Sequence, residues 1–213
     1  MPVFRKGRIS AAKAKLLRKE VVRAGGKRVY RKRKKWPIKD TPFKKIKQQF
    51  PLVFCPLGER GTFIDERVRE TGRPAIVVDW GCGKGRAAGE LAKEYGDKAR
   101  VYGYSKDSYP EWRDIDGVKF IHSTKEDLLR YLKDGSVDLI YSYIGLEYLF
   151  ATLDICPPHI EQLLSKLSEG GKIVFTGAGS GPLRISEMDR ILRGKAFVSL
   201  SDGSVYITKN TLD

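Results

Sequence analysis

Beyond residue 60, short apolar runs alternate along the chain with segments whose apolar residues recur every three or four positions. The runs predict buried strands at residues 75–79, 100–104, 118–122, 137–143 and 172–176. The periodic segments predict helices at residues 62–71, 86–95, 125–132, 160–167 and 185–192. Two further strands, at 196–200 and 204–208, flank Ser201-Asp202-Gly203, which is a hairpin signal.

Five strand–helix repeats closed by an antiparallel hairpin indicate an α/β fold. We predict a three-layer sandwich built on a mostly parallel seven-stranded sheet with a C-terminal antiparallel hairpin. At the start of this region, Thr62 with Asp65 three residues later is typical of a capping box, and Gly72 ends that helix. In such sheets ligands bind beyond the carboxyl ends of the strands, so the loop after Asp79 is the first candidate site.

The first fifty residues have a different pattern. Ser10 precedes an amphipathic segment that predicts a helix over residues 11–24, ended by the glycines at 25 and 26. Thr41-Pro42 opens a second, short helix with Phe43, Ile46 and Phe50 on one side. We therefore predict a helical N-terminal arm at residues 1–50 and a separate domain at residues 51–213.

Charge separates the two regions further. Residues 1–50 hold 19 Lys+Arg against two acids, Glu20 and Asp40, whereas residues 51–213 hold 22 against 24. The net charges are thus +17 and −2, and the arm accounts for all of the excess in the total of +15. The protein is therefore a nearly neutral body with a strongly basic arm.

Residues 27–36 combine seven basic residues with two aromatic ones. Lys and Arg neutralise phosphates and release counterions, and aromatic rings stack on unpaired bases. We predict contact with RNA or a ribonucleoprotein through the basic and aromatic side chains Arg28, Tyr30, Arg31, Lys32, Arg33, Lys34, Lys35 and Trp36. A solvated tail, a localisation signal, an acidic protein partner and a membrane surface remain as alternatives.

Several other classes of protein are disfavoured. The apolar runs are shorter than the ~18 residues of a membrane span, and the first residues lack the apolar region of a secretory signal. Cys55, Cys82 and Cys156 are widely spaced, and only two histidines, His122 and His159, are present. We therefore expect no disulfide framework, no metal site and no membrane partner, in a cytoplasmic protein or, given the basic cluster at 27–35, a nuclear one.

The loop after Asp79 is rich in glycine, with VVDWGCGKGRAAGEL at residues 77–91. Neither the dinucleotide pattern GxGxxG nor the phosphate loop GxxxxGK[ST] fits it well. A different pattern, D-x-G-x-G-x-G, is met by Asp79, Gly81, Gly83 and Gly85. Glycines there allow a sharp turn and a close backbone approach to a ligand.

With a strand before it, a helix after it and a terminal hairpin, this motif resembles that of the class I S-adenosylmethionine-dependent methyltransferases. The resemblance covers residues 60–209 and implies S-adenosylmethionine as cofactor. It also implies that Asp79 positions the cofactor's ammonium group and that the loop embraces its methionine part, through Gly81, Cys82, Gly83 and Gly85.

Later segments resemble the family's remaining cofactor contacts. Residues 101–107 resemble the ribose-binding segment, although Ser105 stands where the family usually has an acid, so Asp107, or Tyr104 with Ser105, would bind the ribose. Residues 120–128 resemble the adenine-binding segment, with Thr124, Glu126 and Asp127 as candidates. Residues 137–149 resemble the strand and loop that face both cofactor and substrate, beginning at Ser142.

The acceptor is defined by residues 142–148, which lack the motifs of exocyclic-amine and pyrimidine-carbon methylases. Asp138 lies at the start of its strand, which disfavours ribose 2′-O transfer. Tyr143 would shape the methyl channel and Glu147 would orient or deprotonate the acceptor, unless these side chains only pack or face solvent. We expect a methyltransferase acting on RNA or an RNA–protein particle; the alternatives are a protein or small-molecule acceptor, or a binding protein without turnover.

Overall fold

The computed structural model describes residues 21–24, 27–30, 40–56, 58–122, 130–143, 156–176, 185–201 and 203–210. Its contacts divide the chain into two compact units, Met1–Ile38 and Lys39–Asp213.

In the first unit, strand β1 (Val21–Ala24) pairs antiparallel with strand β2 (Lys27–Tyr30). The helix predicted over residues 11–24 is therefore wrong at its C-terminal end, and residues 11–20 lie outside the described part of the chain. β-branched residues favour strands, and a Gly-Gly pair suits a two-residue hairpin as well as a helix end. The pairing with Lys27–Tyr30 thus places Val21–Ala24 in a strand.

The second unit contains six helices and seven strands among its described residues. The helices are α1 (Phe43–Gln49), α2 (Pro51–Phe54), α3 (Phe63–Thr71), α4 (Arg86–Tyr95), α5 (Cys156–Lys166) and α6 (Ile185–Leu192). The strands are β3 (Ala75–Trp80), β4 (Ala99–Ser105), β5 (Val118–His122), β6 (Val137–Ser142), β7 (Leu167–Thr176), β8 (Ala196–Ser201) and β9 (Ser204–Lys209). Short 3-10 segments lie at Gly58–Arg60, Gly96–Lys98 and Pro110–Asp114.

The seven strands form one sheet in the order β5-β4-β3-β6-β7-β9-β8. Strands β3 to β7 are parallel to their neighbours in this series, and β9 runs antiparallel to both β7 and β8. This confirms the predicted α/β sheet with its C-terminal hairpin. The strand order reverses between β3 and β6, so a crevice is expected at the carboxyl ends of these two strands.

The largest difference from the predicted strand bounds lies at β7. The helix expected at residues 160–167 is α5, which ends at Lys166, and β7 begins directly at Leu167. Gly170 and Gly171 therefore do not end the helix but lie inside the strand, where the pairing with β6 shifts register. A Cβ on Gly171 would lie only 2.8 Å from the Ser168 carbonyl oxygen, so the irregular strand requires glycine there.

Helix α1 belongs to the second unit and not to the basic arm. Phe43, Ile46 and Phe50 are at most 2% exposed and pack in the core beside α4 and the sheet. The compact body therefore begins at Lys39, whereas the sequence placed its boundary at residue 50. With this division residues 1–38 hold 15 Lys+Arg against one acid, a net charge of +14, and residues 39–213 have a net charge of +1.

Candidate functional site

The glycine loop connects β3 to α4 at the point where the strand order reverses. Gly81, Gly83 and Gly85 have φ values of 88°, 54° and 86°, a region that side-chain-bearing residues rarely adopt. The backbone N–H groups of Gly81 and Cys82 both donate to the Tyr104 carbonyl oxygen, at 2.8 and 3.0 Å. The end of β4 therefore holds the first half of the loop in place.

Two aromatic rings support the loop, and the sequence did not single them out. Trp112 stacks on Phe120 with 4.8 Å between ring centroids, and its indole N–H donates to the Gly83 carbonyl oxygen at 2.9 Å. A Cβ on Gly85 or Gly103 would lie 2.6 Å from the Phe120 ring. Gly85 and Gly103 therefore leave room for the Phe120 ring, in addition to any turn they allow. In the sequence, the aromatic residues that follow β4 were the signal that could have indicated this support.

Asp79 lies at the end of β3 and is only 5% exposed. Burial raises the pKa of its carboxyl to about 7, and the nearby Tyr141 hydroxyl opposes this only in part. Among the described residues, no cation forms an ion pair with Asp79. Within the described ranges, this buried acid therefore has no positive partner.

Tyr141 is the neighbour of Asp79 across the pairing of β3 and β6. Burial and the adjacent carboxyl raise the pKa of Tyr141 well above its ordinary value. Its buried hydroxyl does not reach hydrogen-bonding geometry with any described residue, Asp79 included. The position of this unsatisfied hydroxyl beside Asp79 follows from strand register, which residue spacing alone does not give.

The candidate ribose residues occupy different environments at the end of β4. The Tyr104 ring is 6% exposed and packs on Trp80 in the core, so this residue meets the loop through its carbonyl oxygen. The Ser105 hydroxyl is buried and accepts a hydrogen bond from the Asp107 N–H at 3.2 Å. The Asp107 side chain is exposed, so Asp107 is the one of these three residues that offers an accessible carboxylate.

Neighbouring groups of the protein determine the state of the Cys82 thiol and the position of the Ser142 hydroxyl. Burial, followed by the charge of Asp79, raises the pKa of the Cys82 thiol far above its ordinary value, so the group stays a neutral thiol. The Ser142 hydroxyl is 1% exposed and donates to the Trp80 carbonyl oxygen at 2.8 Å. This bond ties the end of β6 to the end of β3 beside the crevice.

Tyr143 follows β6 and is partly buried against the core. Its carbonyl oxygen accepts a hydrogen bond from the Thr176 hydroxyl, and the Lys45 ammonium lies 5.7 Å from the centroid of its ring. The structure therefore brings Tyr143 to the same edge of the sheet as the glycine loop.

Other predicted site residues lie outside the described part of the chain. They are Thr124, Glu126, Asp127 and Glu147, together with the arm residues Arg31, Lys32, Arg33, Lys34, Lys35 and Trp36. Arg28 and Tyr30 lie in β2. Within the described residues no group of three or more His, Cys, Asp or Glu side chains is arranged to hold a metal ion. Likewise, none of the described helices is long and apolar enough to cross a membrane.

The opposite end of the sheet has a network of its own around Asp138, at the start of β6. The Asp138 carboxylate accepts hydrogen bonds from Arg67, Arg73, Ser168 and the Ile76 N–H, at 2.7 to 3.3 Å. Burial would raise the pKa of Asp138, but the bonds from Arg73 and Ser168 outweigh it and hold that pKa below its ordinary value. Asp138 is thus paired within the protein and lies away from the glycine loop. A cavity of about 610 Å³ lies beside this network.

Comparisons with known proteins identify the architecture. The family described as "Methyltransferase domain" has a sequence model that matches residues 78–175. No curated protein sequence matches the chain.

Solved structures resemble the fold at low sequence identity. Monomeric WbdD is 18% identical with a TM-score of 0.51, over 69% of this chain and 39% of that one. The aminoglycoside resistance methyltransferase NpmB1 is 16% identical with a TM-score of 0.50, over 70% and 93%. The 1,6-didemethyltoxoflavin-N1-methyltransferase of Burkholderia thailandensis, solved with S-adenosylhomocysteine, is 17% identical with a TM-score of 0.49, over 70% and 76%. The first two likenesses show the fold alone.

Proposed function

We propose that this chain, whose residues 78–175 match the methyltransferase family model, is a class I S-adenosylmethionine-dependent methyltransferase that methylates RNA or an RNA–protein particle. The basic residues of the first unit recruit the substrate, and the edge of the sheet near Asp79 and Tyr143 holds the reacting groups. The observation that carries this proposal is the segregation of charge, +14 in residues 1–38 against +1 in the body.

The residues around the glycine loop fit the cofactor. S-adenosylmethionine supplies an electrophilic methyl group on a sulfonium centre, together with an ammonium and a carboxylate at its amino-acid end. Asp79 is a buried acid that lacks a cation among the described residues, and an ammonium group would supply one. The positive φ values at Gly81, Gly83 and Gly85 let the backbone approach the ligand without side chains in the way.

Each predicted contact then has a proposed role. Asp79 holds the ammonium, and the loop of Gly81, Cys82, Gly83 and Gly85 receives the methionine part. Asp107, the exposed acid after β4, binds the ribose, while Tyr104, Ser105 and Ser142 hold the backbone around it. We assign the adenine to the segment of Thr124, Glu126 and Asp127, and the acceptor side to Tyr143 and Glu147. In-line transfer then requires these groups mainly to align the acceptor with the methyl group.

The nucleic-acid part of the proposal depends on electrostatics. A segment with a net charge of +14 attracts a polyanion, and residues 27–36 add two aromatic rings that suit unpaired bases. The body, with its net charge of +1, provides little long-range attraction of its own. Removal of arm charges is therefore expected to weaken RNA binding and to leave cofactor binding intact.

This is tested in the full-length chain by replacing four arm residues with Gln, namely Lys32, Arg33, Lys34 and Lys35. The matched control replaces four exposed basic residues of the body with Gln, namely Lys93, Arg100, Lys133 and Arg193. We expect the arm variant to lose roughly tenfold or more in affinity for a labelled single-stranded oligoribonucleotide, with a shallower salt dependence. Calorimetry should give the same S-adenosylmethionine affinity for both variants and the wild type.

The chemical class of the methyl acceptor is determined by a methyl-transfer assay. With tritiated S-adenosylmethionine and a cell extract separated into RNA and protein, label should enter RNA and should depend on the four arm residues. Label that enters only protein or small molecules would show the acceptor assignment to be wrong. If the arm and control variants bind RNA alike, the arm does not recruit the substrate.

A further inference from the structure

Tyr143 and Lys45 meet at the mouth of the proposed site. Asp79 pairs with Tyr141 across the sheet, so Tyr143, two residues further along the chain, lies at the same carboxyl edge of the sheet as the glycine loop. The Lys45 ammonium lies 5.7 Å from the centroid of the Tyr143 ring. An aromatic ring and a cation thus stand side by side where an acceptor would approach the cofactor.

Helix α1 fixes the position of Lys45. At its start the Phe43 N–H donates to the Glu90 carboxylate at 2.7 Å, and further along Lys47 pairs with Glu94 at 2.8 Å. Near its end the Gln49 side chain donates to the Ser204 hydroxyl at 2.8 Å. With its apolar side buried in the core, the helix is held to both α4 and β9. Lys45 therefore extends from a rigid support.

The charge of Lys45 is available to a ligand. Lys47 on the same helix is neutralised by Glu94, whereas Lys45 is exposed and forms no ion pair with any residue in the described ranges. The Lys45 ammonium lies over the face of the Tyr143 ring, and such an interaction is weak at exposed sites. An ammonium in this setting can turn to a phosphate at little cost while its backbone stays in place.

We propose that Lys45 and Tyr143 together bind one nucleotide of the RNA acceptor, with the ammonium on a phosphate and the ring against the base. The inference rests on the function proposed above and names the residues of the body that seat the acceptor. The residues 1–38 would provide general attraction, whereas this pair would position a single nucleotide beside the methyl group. Lysine binds phosphate as a point charge, and any base can stack on tyrosine, so the contact is independent of sequence.

The test compares the full-length variants Lys45→Ala and Lys45→Arg with the control Lys44→Ala. Lys44 is also exposed, but it points about 100° away around the helix. For Lys45→Ala we expect the KM for RNA to rise about five- to tenfold while kcat stays within about twofold. The slope of log affinity against log salt should become shallower by about 0.7, the value for one phosphate of a single strand. Lys45→Arg should restore the slope, and Lys44→Ala should match the wild type.

A double-mutant cycle tests whether one nucleotide joins the two side chains. Tyr143→Ala should weaken oligoribonucleotide binding by about tenfold, Tyr143→Phe should not, and the losses from Lys45→Ala and Tyr143→Ala should not add. Unchanged melting temperatures and S-adenosylmethionine affinities would separate these effects from misfolding.

Two outcomes would overturn the inference, and they differ in whether the proposed function also fails. If the wild type labels RNA but Lys45→Ala behaves as Lys44→Ala does, the pair does not seat the acceptor and the proposed function stands. If the wild type labels an acidic protein instead of RNA, both fail.

Discussion

Asp79 and Asp138 are buried in adjacent strands, yet they lie at opposite ends of the sheet and in opposite electrostatic settings. Asp138 receives two guanidinium groups, a hydroxyl and a backbone N–H, and its pKa is held below the ordinary value. Asp79 has an unsatisfied tyrosine hydroxyl beside it, and burial raises its pKa to about 7. Among the residues that the structure describes, Asp138 has cationic partners and Asp79 has none.

We interpret this difference as that between a structural acid, Asp138, and a ligand-binding acid, the role proposed for Asp79. A buried carboxylate without a cation is unfavourable for folding, and a cationic ligand would relieve that unfavourable state on binding. A carboxylate already paired with two arginines gains no further neutralisation from a cationic ligand. Substitution of Asp138 should therefore lower the stability of the fold and leave cofactor binding intact. Substitution of Asp79 should instead weaken cofactor binding without lowering stability in this way.

The largest expected effect is on stability at Asp138. Asp138→Asn should lower the free energy of unfolding by about 3–5 kcal/mol, because Arg67 would keep only the exposed Glu70 as a negative partner and Arg73 would keep none among the described residues. Urea unfolding monitored by circular dichroism measures this change. A loss below about 1 kcal/mol would mean that the network is not a folding determinant.

The next effect is the pH dependence that Asp79 imposes. Its pKa in the folded, cofactor-free protein, about 7, exceeds the ordinary value of 3.8, so its contribution to stability is greatest below pH 3.8 and is lost as the pH rises to about 7. Relative to Asp79→Asn, the wild type should lose roughly 3 kcal/mol between pH 5 and pH 8. Unfolding curves of both proteins across this range give the difference, and parallel curves would show that Asp79 is ionised throughout.

A smaller effect is expected on the cofactor. Asp79→Asn should weaken S-adenosylmethionine binding roughly 10- to 100-fold at pH 8, because an amide cannot neutralise an ammonium group. Calorimetry measures it, with Asp97→Asn as a control at an exposed acid. For the wild type below pH 7, binding should also release a proton. Equal affinities for Asp79→Asn and wild type would remove Asp79 from the cofactor site.

The smallest effect concerns the more exposed arginine of the Asp138 network. The Arg73 side chain is 39% exposed against 10% for Arg67. Arg73→Gln should therefore cost about 1 kcal/mol in unfolding free energy, because Arg67, Ser168 and Ile76 still satisfy the carboxylate. A cost equal to that of Asp138→Asn would show that Arg73 alone holds the acid.

Local signals in the sequence predicted much of this molecule. The D-x-G-x-G-x-G pattern carried over to the structure because each glycine has a backbone angle that other residues avoid. The capping box at Thr62 and Asp65 is present, with both reciprocal hydrogen bonds. Helices α4 and α6 and strand β5 have the predicted bounds.

The features that the sequence did not predict depend on contacts between residues that are far apart in the chain. The helical pattern of α1 was visible, but its packing on α4 was not, so its position in the body could not be read from residues 43–50. The Asp79–Tyr141 contact requires the register of β3 against β6. At Val21–Ala24 a short apolar stripe was consistent with helix and strand alike, and pairing with Lys27–Tyr30 decided for strand.

The hydrogen bond from Trp112 to the glycine loop has a spectroscopic consequence. The chain has three tryptophans, and each belongs to a different region: Trp36 to the basic segment, Trp80 to the core beside Asp79, and Trp112 to the support of Gly83. Indole emission depends on local polarity and hydrogen bonding, so each residue serves as a native optical label. Single-tryptophan variants would thus let cofactor and RNA titrations be followed separately, without any attached dye.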